Sequence, residues 1–121
     1  MTTGNLADFK KALSETDEVE LTVTGRASGR ETTRPVWFVQ DGDTVYLLPV
    51  KGSDSVWFKN VLKTPSIRLA ANDVTISAVA RPITDPQRVR QVVDKFRDKY
   101  GADDVKKYYS KLDVAVEVPL S

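Results

Sequence analysis

The chain has 121 residues, with 18 Lys and Arg against 17 Asp and Glu, no His and no Cys. That length fits one domain over residues 1–121, large enough to bury a core without staples. The missing side chains exclude an imidazole base, a thiolate nucleophile, a His/Cys zinc site, a disulfide and a haem held by His or Cys. Any enzyme built on this chain must therefore draw its reactivity from a bound cofactor or from the substrate. A net charge of +1 argues against the uniformly basic face of a nucleic-acid binder. No uncharged run approaches the ~20 apolar residues of a membrane span. The first residues show no basic stretch followed by an apolar core, and the lack of Cys fits a reducing compartment, so a cytoplasmic location is expected.

In chain order, Asn5 can cap a short helix whose apolar residues Leu6, Phe9 and Leu13 follow helical spacing. Val19, Leu21 and Val23 then alternate with Glu20, Thr22 and Thr24, the pattern of a half-buried strand. Gly25 to Gly29 is a turn. A second strand runs from Thr32 to Gln40, and Asp41-Gly42-Asp43 makes a hairpin to a third, Thr44 to Val50. Pro35 and Pro49 cannot donate to a ladder. Their places near facing ends of one hairpin predict a sheet that parts there, and a ligand cleft is one reason for such a gap.

A short helix is predicted over Ser55 to Lys63, capped by Ser53 or Asp54 and ended by Pro65. Ile67 and Leu69 mark the next strand, Asn72-Asp73 a tight turn, and Val74 to Ala80 a fifth strand. Asp85 and Pro86 open a longer helix with Val89, Val92, Val93, Phe96 and Tyr100 on one stripe, closed by Gly101. A further helix over Asp103 to Lys111 and a strand through Val114, Val116 and Val118 complete the chain. This is a mainly β, α+β pattern: six strands in an antiparallel sheet closing on itself, with flanking helices.

Three constellations bear on chemistry. Gly25-Arg26-Ala27-Ser28-Gly29-Arg30 offers backbone donors and two guanidinium groups to an anion, or is an ordinary turn with solvated arginines. Lys51-Gly52-Ser53 running into a helix start can form an anion site, with backbone donors, dipole and ammonium pointing the same way, or is an ordinary strand-to-helix connection. Trp57 and Asn60 share one face of that helix, or are simply core and surface. Tyr108 and Tyr109 can donate to a developing oxyanion, with at most one facing inward, whereas Tyr100 reads as core. Asp94, Asp98, Asp103 and Asp104 are interleaved with Lys and Arg and read as a solvated, ion-paired face rather than a metal or acid–base site.

The order of these pieces is more specific than any one of them. Leu21-Thr-Val-Thr-Gly-Arg-Ala-Ser-Gly, then Arg34-Pro35-Val36-Trp37-Phe38-Val39, Asp41-Gly-Asp, Lys51-Gly, Trp57-Phe-Lys-Asn60 and Pro65 resembles the deazaflavin-dependent nitroreductase family. The resemblance is strongest from Val19 to Leu69. It implies the pyridoxamine-phosphate-oxidase-like split β-barrel and a bound deazaflavin, coenzyme F-420, with FMN as the alternative. It further implies Arg26 and Ser28 near the anionic part of the cofactor, with Arg30 and Arg34 standing by where many members are basic and this chain has Ala27 and Thr32. Pro35, Trp37 and Pro49 would line the ring, Lys51, Gly52 and Ser53 the phosphate, with Trp57 and Asn60 on the adjoining helix. The implied activity is hydride transfer to a small quinone, nitro compound or activated alkene, with Tyr108, Tyr109 or solvent as proton donor. A non-catalytic carrier of the same ligand is the other reading, and a homodimer the expected assembly.

Overall fold

The computed structural model describes residues 6–120, so the predicted cap at Asn5 lies outside the described residues. Its strands are β1 (Glu18–Thr24), β2 (Glu31–Asp41), β3 (Thr44–Leu47), β4 (Ser66–Ala71), β5 (Val74–Val79), β6 (Arg81–Ile83) and β7 (Ala115–Pro119). Its α-helices are α1 (Leu6–Ser14), α2 (Val56–Lys63), α3 (Pro86–Tyr100) and α4 (Ala102–Tyr108). Among the described residues no helix is long and apolar enough to cross a membrane.

The strands form one antiparallel sheet in the order β5-β4-β1-β2-β3-β7-β6. Its two outer strands, β5 and β6, are consecutive in the chain and separated by Ala80 alone. One run of chain therefore supplies both edges, and the sheet curls into a split barrel. Six strands were expected and seven are present, because the predicted fifth strand bends at Ala80 and continues as β6 against β7. The bend is held by the Ala80 N–H, which donates to the Pro65 carbonyl at 2.8 Å. The turn into β5 is made by Asn72 and Asp73, both at positive φ (45° and 69°), which Asn and Asp adopt more readily than other residues bearing a Cβ.

A second corner lies within β2. Residues Glu31 to Trp37 pair with β1, whereas Phe38 to Asp41 pair with β3. β3 stops at Leu47 rather than running to Val50, so the N-terminal half of β2 keeps a free edge. The sheet parts between the two prolines. Pro35 sits in the stretch of β2 whose one ladder partner is β1, where a missing donor costs little.

Two apolar clusters flank the sheet. Inside the barrel, Phe9, Leu21, Phe38, Leu47, Phe58 and Leu69 are each at most 2% exposed. On the outer side, α3 and α4 press Val89, Val93, Phe96 and Val105 onto Ile83 and Ala115. Strand β7 serves both clusters, with Val116 and Val118 facing in and Ala115 facing out. The start of α3 is as the sequence predicts: the Asp85 carboxylate accepts from the Arg88 N–H at 3.3 Å and Pro86 is the first helical residue.

Candidate functional site

Where β2 and β3 part, a cleft of about 740 Å³ opens. That size suits a small-molecule ligand. One wall is β2, contributing Arg34, Pro35, Val36 and Trp37, with Glu18 at the start of β1. The other wall is the segment after β3 and the head of α2: Leu48, Val50, Lys51, Asp54, Ser55, Val56 and Trp57. Tyr108 and Tyr109 at the end of α4 complete the lining. The cleft lies at the seam of the two clusters, since Trp57 belongs to the barrel interior while Leu48 and Tyr109 belong to the outer one.

Trp37 is the aromatic centre. Its indole stacks flat on Tyr100, with centroids 4.1 Å apart and planes at 7°. Tyr108 meets it edge-on at 5.5 Å, and Tyr109 is tilted at 6.0 Å. The sequence reads Tyr100 as core, and its ring is part of the outer cluster. Its hydroxyl does more. It accepts from the Phe38 N–H at 3.1 Å and lies 2.7 Å from the Asp17 carbonyl and 2.8 Å from that of Phe38. The phenol thus fixes the residue at which β2 changes partner, next to Trp37. Burial, relieved in part by the Phe38 bond, pushes its pKa up to about 12. Tyr109 is 7% exposed, and burial raises its pKa well above that of an ordinary phenol. Tyr108 stands exposed at the rim.

The residues expected to bind an anion are arranged differently from the sequence expectation. A 3-10 turn over Gly52–Asp54 precedes α2, so Ser55, not Ser53 or Asp54, is the N-cap residue. Ser55 is 7% exposed, lines the cleft, and its hydroxyl makes no capping bond. The first N–H groups of α2 have no helical acceptor, so Ser55, the helix head and Lys51 offer donors together. Ser53 faces elsewhere: its N–H and hydroxyl donate to the Asp113 carboxylate at 2.9 and 2.5 Å. Gly52 is buried beside that contact, and Pro49 is buried behind the lining, where its carbonyl accepts from the Gly52 N–H at 3.0 Å.

Of the residues singled out, Arg34, Pro35, Trp37, Lys51, Trp57, Tyr108 and Tyr109 line the cleft together. Arg26, Ser28, Arg30, Pro49, Gly52, Ser53 and Asn60 do not line it. Arg26 and Asn60 are partners of each other: the buried Asn60 Oδ1 accepts from the Arg26 N–H at 3.1 Å and from its Nη1 at 2.9 Å. Lys63 caps the same turn by donating to the Arg26 carbonyl at 2.8 Å. Ser28 closes the turn by accepting from the Arg30 N–H at 3.2 Å. Glu18, Val36, Leu48, Val50, Asp54, Ser55 and Val56 also line the cleft and are not among the ligand contacts the sequence suggests. Their flanking positions around Lys51 and Trp57 were the available signal for most of them, but not for Glu18.

The profile of the family described as "Uncharacterized protein conserved in bacteria (DUF2255)" matches residues 10–116. Among solved structures, an F-420-H2-dependent reductase (FDR-A) is similar at 20% identity and TM-score 0.66, over 84% of this chain and 93% of that one. A putative pyridoxamine 5'-phosphate oxidase from Listeria innocua aligns at 14% identity and TM-score 0.69, over 96% and 94%. The haem storage protein HutZ from Vibrio cholerae aligns at 17% identity and TM-score 0.69, over 96% and 90%. The split-barrel fold implied by the sequence resemblance is thus the fold of this chain.

Proposed function

The chain belongs to the DUF2255 family, and from its split-barrel cleft we propose that it is a cofactor-dependent oxidoreductase that passes a hydride from reduced coenzyme F-420 to a small quinone, nitro compound or activated alkene. The observation that carries this reading is the pairing, in one cleft, of a stacked aromatic wall at Trp37 with a cationic, donor-rich corner at Lys51 and Ser55. That combination suits a flat ring bearing an anionic chain. The residues present fit the group: Lys51, Ser55 and the head of α2 would hold a phosphate, Arg34 stands across the cleft, and Trp37, Pro35 and Val36 would bear the ring.

When bound, the cofactor supplies the hydride, which no side chain of this chain can provide. The protein's share is orientation and charge placement. Trp37 is held rigid by Tyr100, so the ring wall is set before the ligand arrives. Tyr109, kept protonated by burial, would donate a hydrogen bond to an acceptor oxygen as negative charge develops there, and solvent reaching Tyr108 at the rim would complete protonation.

A second reading, FMN in place of F-420, is favoured by the charge balance. Arg26 is engaged with Asn60, and the cleft sets Glu18 and Asp54 against Arg34 and Lys51. A single phosphate also suits that lining. Haem storage, the role named for the Vibrio neighbour, would lack a His or Cys axial ligand here. Titration of F-420 and of FMN into the protein, followed by tryptophan quenching, tests the proposal, because Trp37 and Trp57 both line the cleft. Saturable quenching at micromolar cofactor, then acceptor-dependent oxidation of the reduced form, supports it. Binding without turnover would leave a carrier. A second copy of the chain is the expected partner, and sedimentation of the same sample reads it.

A further inference from the structure

The connection after α4 is tied to the loop after β3 by bonds that the proposed chemistry does not use. Ser110 donates to the Val50 carbonyl from its N–H at 2.9 Å and its hydroxyl at 3.2 Å. Three residues on, the Asp113 carboxylate receives both donors of Ser53. Between them Lys111 reaches Asp54 at 3.1 Å and Asp113 at 3.7 Å. Gly52 is shaped for this contact. Its φ is +56°, and a Cβ there would run into the Asp113 carboxylate and the Lys111 carbonyl.

These bonds join the two sides of one end of the cleft. Val50, Lys51, Asp54 and Ser55 lie on one side, and Tyr108 and Tyr109 on the other. Asp113 is a carboxylate that could rest in solvent, its side chain being 39% exposed. It is instead turned onto a backbone N–H and a hydroxyl of a loop 60 residues away. Bonds to a charged acceptor are the stronger kind, and a loop ordered before the ligand arrives spares the ligand that ordering cost.

We propose that Asp113 is a positioning residue of the cleft: through Ser53 it clasps the Val50–Ser55 wall to the Tyr108–Tyr109 wall and sets where Lys51 stands against the aromatic side. The consequence for binding rests on the cofactor reading given above, whereas the clasp itself belongs to the ligand-free protein.

The test uses Asp113→Ala, Asp113→Asn and, as a control, Asp103→Ala, which removes an exposed acid of α4 that does not line the cleft. Amide hydrogen exchange at Ser53 and Ser110 is measured without ligand, and FMN and F-420 affinities by tryptophan quenching. For Asp113→Ala, exchange at both amides should rise about tenfold or more, and affinity should fall by about tenfold. Asp113→Asn, which keeps an acceptor for Ser53, should recover part of each, and the control should change neither. Unchanged exchange in Asp113→Ala overturns the clasp. Faster exchange with undiminished affinity overturns its positioning role. If the unaltered protein binds neither cofactor, the cofactor reading and the positioning role fall together, and exchange alone decides the clasp. Should Asp113→Ala fail to fold, Ser53→Ala, which removes the hydroxyl alone, carries the same two readouts.

Discussion

Asn60, expected among the ligand contacts, holds the turn that lies behind the cleft. Its Oδ1 holds the Arg26 backbone and guanidinium while its carbonyl accepts from the Thr64 N–H at 2.8 Å, so one residue ties the β1–β2 turn to α2. Asn60→Ala leaves two Arg26 donors without their acceptor and should cost about 1–3 kcal/mol, read as a lower urea midpoint at unchanged slope. Tyr100 gives a pH prediction. Its folded-state pKa of about 12 stands above the ordinary value of 10, so the neutral phenol is the form the fold favours. Its stabilisation is fully present below about pH 10 and is lost as pH rises through about 12. Alkaline titration should accordingly show Trp37 emission changing late, together with tyrosinate absorbance, and Tyr100→Phe should remove that coupling. At this scale the sequence was informative about residue type and silent about partners. Asn60 and Arg26 are 34 positions apart, and Ser53 and Asp113 are 60 apart, so nothing local in either segment says that they meet.

Elements were legible where the signal is local. Alternation placed β1, Asp41-Gly42 placed the hairpin, and Asp85-Pro86 placed the head of α3. They depart from the sequence pattern where distant backbone groups meet. β3 ends at Leu47 and α4 at Tyr108, short of their predicted ends at Val50 and Lys111, and beyond both ends the Ser110 N–H donates to the Val50 carbonyl. The bend at Ala80 escaped for a related reason: periodicity reports which face a side chain takes, not which strand lies beside it. The apolar stripe of α3, in contrast, was read correctly and carries a stability prediction. Phe96 is fully buried between α3 and the outer face of the sheet, touching Tyr100 and Tyr109. Phe96→Ala should cost about 3–5 kcal/mol and loosen the Trp37 platform, visible as lower thermal stability and altered Trp37 emission.

For the whole molecule, the gap between β2 and β3 falls where two apolar clusters meet, and the walls of the cleft come from both. A ligand lodged there would touch both cores at once. The two prolines made the gap legible in the sequence, while the composition of its lining depends on the curl of the sheet and on α4 reaching back over β2. The absence of His and Cys acquires a location from this arrangement: the cleft holds phenols, an indole pair, a lysine and a serine, groups suited to holding a cofactor and placing a hydrogen bond. The most direct test is equilibrium titration of F-420 and FMN into the unaltered protein and into Lys51→Ala, with tryptophan quenching as the readout. Saturable micromolar binding of at least one cofactor is expected, weakened about tenfold by Lys51→Ala. No quenching by either cofactor, or equal affinity in both proteins, would contradict it.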